Sequence, residues 1–511
     1  MQHTHMIGVD IGTTSTKAVV FKKDGEFVSK ENIEYPLFTP NPETAEQDPD
    51  LIFQAVQEAI RSSIEQSGMS PESIGFVSFS SAMHSVIAVD SAGNPLTRSI
   101  TWADNRSNEY ANKIKNQNGH AIYMRTGTPI HPMSPLAKLA WLHAEKPELC
   151  SKTAKFISIK EYVFFKLFGT YEIDYSIASA TGMFNLKALD WDEEALRIAG
   201  VTPDKLSKPV STTHSLRGLS QADSNKMGLL PDTPFYLGAS DGVLSNLGVN
   251  AIEKGAVAVT IGTSGAIRTV TDKPVTDPKG RIFCYALTED HWVIGGPVNN
   301  GGMIFRWLRD ELCQDVVAEA EKLGLNPYDI LTKAADKVPP GSHGLIFHPY
   351  MAGERAPIWD ANARGSFFGL GLNHKKEDMV RAVLEGILFN LYSVLLALEE
   401  LIGEPTRIQA TGGFAQSAVL RQMIADIFNH EVVVPESFES SCFGACVLGL
   451  YASGEMKNLE DVGMLVGAVH SHLPNQKAAE AYQKIIPMFI RLSRMFSEEY
   501  EELAKLQREL R

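Results

Sequence analysis

The segment VDIGTTSTKAVVF (residues 9–21) returns as VTIGTSGAIRTV (residues 259–270), roughly half of the 511 residues further along. Each copy reads as a short apolar strand, a turn of glycine and hydroxyl residues, and a second strand. One supersecondary unit repeated at that separation calls for two domains built to the same plan. A chain of 511 residues is also too long for a single core. The copies differ where the first strand ends: Asp10 stands in one and Thr260 in the other.

The segments downstream of each copy support the duplication. After the first, KKDG makes a second turn and residues 26–29 a third strand. Asp48-Pro49 then opens a helix whose Ile52, Val56, Ala59, Ile60 and Ile64 share one face. IGFVSFSSA (74–82) is a buried strand ending in small polar residues. After the second copy, RIFCYAL and HWVIGG are strands, and RIQA leads through Thr411-Gly412-Gly413 into a helix capped by Ser417. A long helix is expected from Asp378 to about Ile402, stopped by Gly403. The tail from Gln476 reads as an acidic amphipathic helix interrupted near Pro487. The boundary falls near Ala251, giving domains 1–251 and 252–511 and making the interdomain cleft the expected place for a ligand.

Composition narrows the partners. A formal charge of −14 argues against nucleic acid or an anionic membrane surface, but not against small anions held by local fields. The opening MQHTHM lacks the basic and then apolar run of a signal peptide, so none is expected, and the apolar run 386–398 reads as too short to span a bilayer. Cys150, Cys284, Cys313, Cys442 and Cys446 form no C-x-x-C pair and read as small core hydrophobes in a reducing cytoplasm. HSH (470–472) reads as a surface loop, so no structural zinc is expected.

The two turns carry the first chemistry. Gly12-Thr13-Thr14-Ser15 and Gly262-Thr263-Ser264-Gly265 gather N–H groups and hydroxyls after a buried strand, and glycine admits a phosphate to the backbone. Neither is a Walker loop, because each precedes a strand and lacks that spacing. One such turn alone is an ordinary hairpin; two in register can hold a polyphosphate. Lys17 adds a cation, and Asp10 can hold a hydrated magnesium ion. In GASDGVLSNLG (238–248), Asp241 either caps the following helix or takes a proton from an attacking hydroxyl.

These motifs, in this order, resemble the FGGY carbohydrate kinases. DIGTTSTK, ASDG, TIGTSG, TGGFAQS and GSFFGLGLNHKKEDMVRAVLEG (365–386) all match, and MSPLAKLAWL (133–142) follows that family's other signature loosely. SSAMHSVIAVD, ITWADNRS and GGPVNNGG are similar to its gluconate-kinase branch. The resemblance implies an α/β fold of two duplicated ribonuclease H-like domains, as in actin and hexokinase-type ATPases. It implies ATP and Mg2+, with Asp241 as general base and Asp10 holding the metal through water. Thr13, Thr14 and Lys17 beside Gly12 match the first phosphate turn, and Gly262 with Thr263 the second. Gly302 and Arg306 fall at phosphates and ribose, and Gly412, Gly413 and Ser417 at adenosine. Met83, His84, Trp102, Asp104 and Met133 fall on the substrate side, although MH and WADNR read without the family are structural as readily. A substrate carboxylate needs a cation, and Arg106 and Lys160 are both candidates.

The expected activity is therefore ATP-dependent phosphorylation of gluconate to 6-phosphogluconate in the cytoplasm, on a protein free to form a homodimer. A pentulose kinase such as a xylulokinase is the alternative. A non-enzymatic ATPase of the actin or Hsp70 kind is a more distant one.

Overall fold

In the computed structural model, which describes residues 4–435 and 439–510, the chain divides into two compact units. The first comprises Met1–Glu253, Val270–Ile294 and Glu436–Gly467. The second comprises Lys254–Thr269, Gly295–Pro435 and Ala468–Arg511.

The first unit is built on β1 (His5–Ile11), β2 (Ser15–Lys22), β3 (Phe27–Glu34), β4 (Ile74–Ser81), β5 (Ser215–Leu216) and β6 (Phe235–Ser240). They form one sheet in the order β5-β6-β4-β1-β2-β3. β1 to β3 are an antiparallel meander, while β4 and β6 run parallel to β1. Helix α1 (Pro49–Ser67) covers this sheet. Asp48 caps it through the N–H groups of Asp50 and Leu51, and Ile52, Val56, Ala59, Ile60 and Ile64 are all buried. The first-half periodicity therefore reads directly into the fold.

At the end of β6 the chain turns into α2 (Asp241–Gly248), which crosses the buried helix Ser440–Ala452. Glycine makes that crossing close. A Cβ on Gly248 would stand 2.0 Å from the Ser440 carbonyl oxygen, and one on Gly444 2.0 Å from that of Leu244. Backbone packed on backbone leaves α2 no freedom to slide, which fixes the residue at its start.

The second unit repeats the plan with β7 (Ala256–Ile261), β8 (Gly265–Thr271), β9 (Arg407–Gly412), β10 (Val432–Pro435) and β11 (Ala468–His472). Their order is β8-β7-β9-β10-β11, with β7, β9 and β10 parallel. Strand Phe283–Ala286 forms within RIFCYAL, and strand Trp292–Val298 forms from HWVIGG and runs two residues past it. The two-domain α/β expectation holds.

Two local expectations do not. HSH belongs to β11 and not to a loop: Val432 pairs with His472, and Val434 with His470. The tail helix Gln476–Met495 runs through Pro487, and the break falls at Phe496. Burial of Ala479, Tyr482, Ile486, Phe489 and Leu492 along one face outweighs the roughly 3 kcal/mol an interior proline costs. The apolar run 386–398 sits inside the longer helix Lys376–Ile402. By length and composition alone that helix could cross a membrane, but 78% of its most apolar window is buried in the protein. Cys442 and Cys446 are buried side by side in the core, as their sequence context indicates.

Candidate functional site

The three parallel strands of the first unit end together. Asp10 on β1 lies abreast of Ser80 on β4, which in turn lies abreast of Ala239 on β6. With neighbouring strands about 4.8 Å apart, Asp10 and the start of α2 share one end of the sheet, where open α/β sheets bind ligands. Asp10 accepts a 2.7 Å hydrogen bond from the Ser80 hydroxyl. Burial pushes its carboxyl up, against the pull of Ser80 and Lys17. Lys17 stands directly across from it on β2.

The turn joining β1 to β2 is tied back at its carbonyls. Gly12 N–H donates to Ser15 (2.9 Å), closing the turn. The Tyr35 hydroxyl donates to the Gly12 carbonyl (2.7 Å), Gln47 to that of Thr13 (2.6 Å), and Tyr35 N–H to that of Thr14 (3.0 Å). An anion-binding turn needs this, because inward carbonyl oxygens would repel the ligand. The second turn uses the same device: Gly262 N–H donates to Ser264 (2.9 Å), Gly302 N–H to Gly262 (2.8 Å) and Met303 N–H to Thr263 (3.0 Å). Thr260 pairs with Thr411 as Asp10 pairs with Ser80, and their hydroxyls meet at 3.0 Å. The copies are thus equivalent down to the side-chain contact, with an acid in one and a hydroxyl in the other.

Asp241 is the first residue of α2 and not its cap, a place Ser240 holds. One of its oxygens accepts the Gly242 N–H at 2.6 Å, and the side chain is partly exposed. Lys160, on the helix Ile159–Phe168, fastens the strand that delivers it. Its ammonium donates to the carbonyls of Leu237 (3.0 Å) and Ala239 (3.1 Å) and pairs with Asp174 at 2.7 Å, wholly buried. Arg106 is also spoken for, pairing with Glu46 (2.6 Å) and Asp104 (2.8 Å) and lying over the Trp141 ring. Both cations considered for a substrate carboxylate already have carboxylates.

The other residues expected on the substrate side lie in the same unit. Met83 and His84 follow β4, and His84 takes a left-handed φ of 71° with its ring bonded to the Ala180 carbonyl at 2.8 Å. The Trp102 indole N–H donates to the Thr13 hydroxyl at 3.0 Å, linking this group to the first turn. Asp104 is fully buried, accepting from Ala45 N–H (3.0 Å) as well as from Arg106. Met133 is fully buried.

Lys138 escapes sequence reasoning. Fully buried, it donates to the carbonyls of His84 (3.2 Å) and Met133. Burial pulls its ammonium down to about 7, with Asp104 opposing and Arg106 reinforcing. The unfolded chain keeps that proton to near pH 10, so between about pH 7 and 10 it binds more protons than the folded protein, and stability rises with pH. Relative to Lys138→Met, the wild type is expected to gain on the order of 4 kcal/mol across that window. Denaturant titrations of both proteins from about pH 6 to 10 check this, and a flat difference would remove the shift.

In the second unit a cavity of about 420 Å³ opens beside the turn. Its walls include Gly262, Thr263, Gly302, Arg306, Gly413 and Ser417, all legible in the sequence. Phe305, Tyr328 and Phe414 add an aromatic side, with Phe305 4.9 Å from Tyr328 and 6.2 Å from Phe414 between ring centroids. Gly412, at φ 84°, turns the chain where a Cβ would meet the Ile261 carbonyl oxygen at 2.4 Å. Ser417 caps the helix Ala418–Phe428. Flat aromatic walls, bare glycine backbone and a nearby phosphate-type turn suit a nucleoside phosphate.

Glu439 escapes it as well. It pairs with Lys17 (2.8 Å) and Lys30 (3.0 Å), which hold its carboxyl low against burial. It lies 422 positions from Lys17, so no spacing rule connects them.

The family model for the N-terminal domain of the FGGY carbohydrate kinases matches residues 5–248, and that for the C-terminal domain matches residues 257–453. The chain is 60% identical over 510 residues to the gluconokinase of Bacillus subtilis, covering 99% of each. A crystal structure of gluconate kinase from Lactobacillus acidophilus superposes with a TM-score of 0.92 at 42% identity, over 98% of this chain and 99% of that one. A ligand-bound xylulose kinase structure from the same organism gives the same TM-score, identity and coverage.

Proposed function

The chain belongs to the FGGY family of carbohydrate kinases, and from that we propose that it transfers the γ-phosphoryl of ATP to the 6-hydroxyl of gluconate. The observation that carries the reading is 60% identity, over 99% of both chains, to the Bacillus subtilis gluconokinase.

The chemistry obeys phosphoryl-transfer logic, in which the protein mostly positions groups and balances charge. Asp241 is the general base. It accepts the proton of the sugar hydroxyl as that oxygen attacks, and its support is a carboxylate held by the Gly242 N–H at the head of a pinned helix. Lys160 acts on it through the strand and through its charge. Met83, His84, Trp102, Asp104 and Met133 form the sugar side. Trp102 offers an apolar face to carbon-bound hydrogens; Asp104, expected as a hydroxyl acceptor, already accepts from Ala45 N–H and Arg106 and acts by orienting Arg106. Each turn offers N–H groups and hydroxyls to phosphate oxygens, with Lys17 beside the first in a 2.8 Å pair with Glu439. The cavity of the second unit takes the nucleoside, with Arg306 at its rim.

Asp10 fits a magnesium ion that keeps most of its water. No cluster of three or more metal-ligating side chains exists among the described residues, and magnesium bound to phosphates needs only one or two carboxylates. Asp10 and its Ser80 partner would hold the hydrated ion, which when bound neutralises charge on the phosphate oxygens.

A pentulose substrate is the second reading, favoured by an equal likeness to the xylulose kinase of Lactobacillus acidophilus. ADP release with ATP, magnesium and separate gluconate, xylulose, ribulose and glycerol decides between them. Gluconate is expected to exceed every other substrate by at least tenfold in kcat/KM. A pentulose that works while gluconate gives only the buffer rate would sink the first reading.

A further inference from the structure

We propose that Glu354 is a positioning residue that sets the loop Asn299-Asn300-Gly301-Gly302 for the nucleotide, an inference resting on the nucleotide reading of the second unit. Glu354 lies outside the cavity and is fully buried. Four donors meet its carboxylate. One oxygen accepts the backbone N–H of Asn299 and of Arg355 (2.8 Å); the other accepts the side-chain amides of Asn300 and Asn390, each at 2.8 Å. Burial pushes the carboxyl up, and the Asn300 amide with the two N–H groups pulls it back.

The grip extends beyond the carboxylate. Asn300 also donates to the Gly353 carbonyl (2.7 Å) and accepts from Ala352 N–H (3.1 Å), so the two backbones are laced from both sides. Two residues further, Gly302 N–H meets the Gly262 carbonyl and Met303 N–H that of Thr263. Glu354 therefore controls, through two residues of chain, the strut that ties back the second phosphate turn. A buried carboxylate is a poor source of stability beside a packed apolar side chain. Its contribution is fixed geometry: four donors converge on two oxygens in only one loop conformation.

The test uses the full-length protein and ADP titrated by calorimetry. Glu354→Gln keeps the shape but turns an amide NH2 toward N–H donors. Asn300→Ala cuts the same tie from the loop side. Each is expected to weaken ADP at least about tenfold, with the gluconate KM within about twofold of the wild type. The double variant should lose less than the product of the two single losses, since both break the Asn300–Glu354 tie. A merely structural role would raise the gluconate KM as much as the ADP Kd, or make the two losses multiply, and either result overturns the inference. Unchanged ADP affinity in a folded Asn300→Ala does so too, even if Glu354→Gln does not fold. A wild type that bound no ADP would remove the nucleotide reading and this inference together. Tight ADP binding without gluconate turnover would remove only the gluconate reading.

Discussion

Asp241→Asn is expected to lower kcat by about a thousandfold or more while ADP affinity stays within about twofold. The asymmetry comes from where the residue stands. Asp241 lies on the first unit, at the head of a helix locked by the Gly248 and Gly444 contacts. Asparagine can still accept the Gly242 N–H through its amide oxygen, so the helix start survives. It cannot take a proton from an attacking hydroxyl. The cavity beside the second turn is lined by other residues, so the nucleoside's walls are unchanged. Single-turnover phosphorylation with saturating ATP and gluconate, alongside ADP calorimetry, reads the two effects separately. A variant retaining a tenth of wild-type turnover would remove Asp241 as the base.

The paired turns are legible in the sequence because their chemistry is local. Strand, glycine turn and strand lie within thirteen or so residues, and turn residues declare themselves. The same holds for Asp241, whose strand and helix are adjacent in the chain, and for Gly412 and Ser417. The hidden residues are those whose partners are brought by the fold. Glu439 reaches Lys17 from the far end of the chain. Lys138 shows in the sequence only as the lysine of MSPLAKLAWL, and nothing there says that its ammonium ends between the carbonyls of His84 and Met133. Glu354 sits in a stretch without periodicity, and its meaning comes from Asn299 and Asn300. The strand at His470 to His472 reads as loop for a related reason: an edge strand of five residues gets its register from its neighbour, here β10. The tail helix shows the limit of a local rule, since one buried face carries the chain past Pro487.

Lys160→Met separates two meanings of a buried cation. If Lys160 held the substrate carboxylate, its loss would raise the gluconate KM and leave the folded protein as stable as before. Its surroundings argue otherwise. Lys160 is 2% exposed and Asp174 is 1% exposed, with 2.7 Å between their charges. The same ammonium bonds two carbonyls of the strand leading to Asp241. Methionine fills the volume but leaves Asp174 buried without its cation and removes the ammonium's bonds to the Leu237 and Ala239 carbonyls. Breaking a buried pair from one side costs about 3–5 kcal/mol, so the variant is expected to unfold at distinctly lower denaturant. Pairing the change with Asp174→Leu should recover part of that loss, because the orphaned carboxylate is gone, less what the cap on Ile177 N–H contributed, whereas kcat is expected to be lowered for want of the tie to Ala239. A Lys160→Met protein with wild-type stability and only a raised gluconate KM would reverse the assignment and make Lys160 the carboxylate's cation.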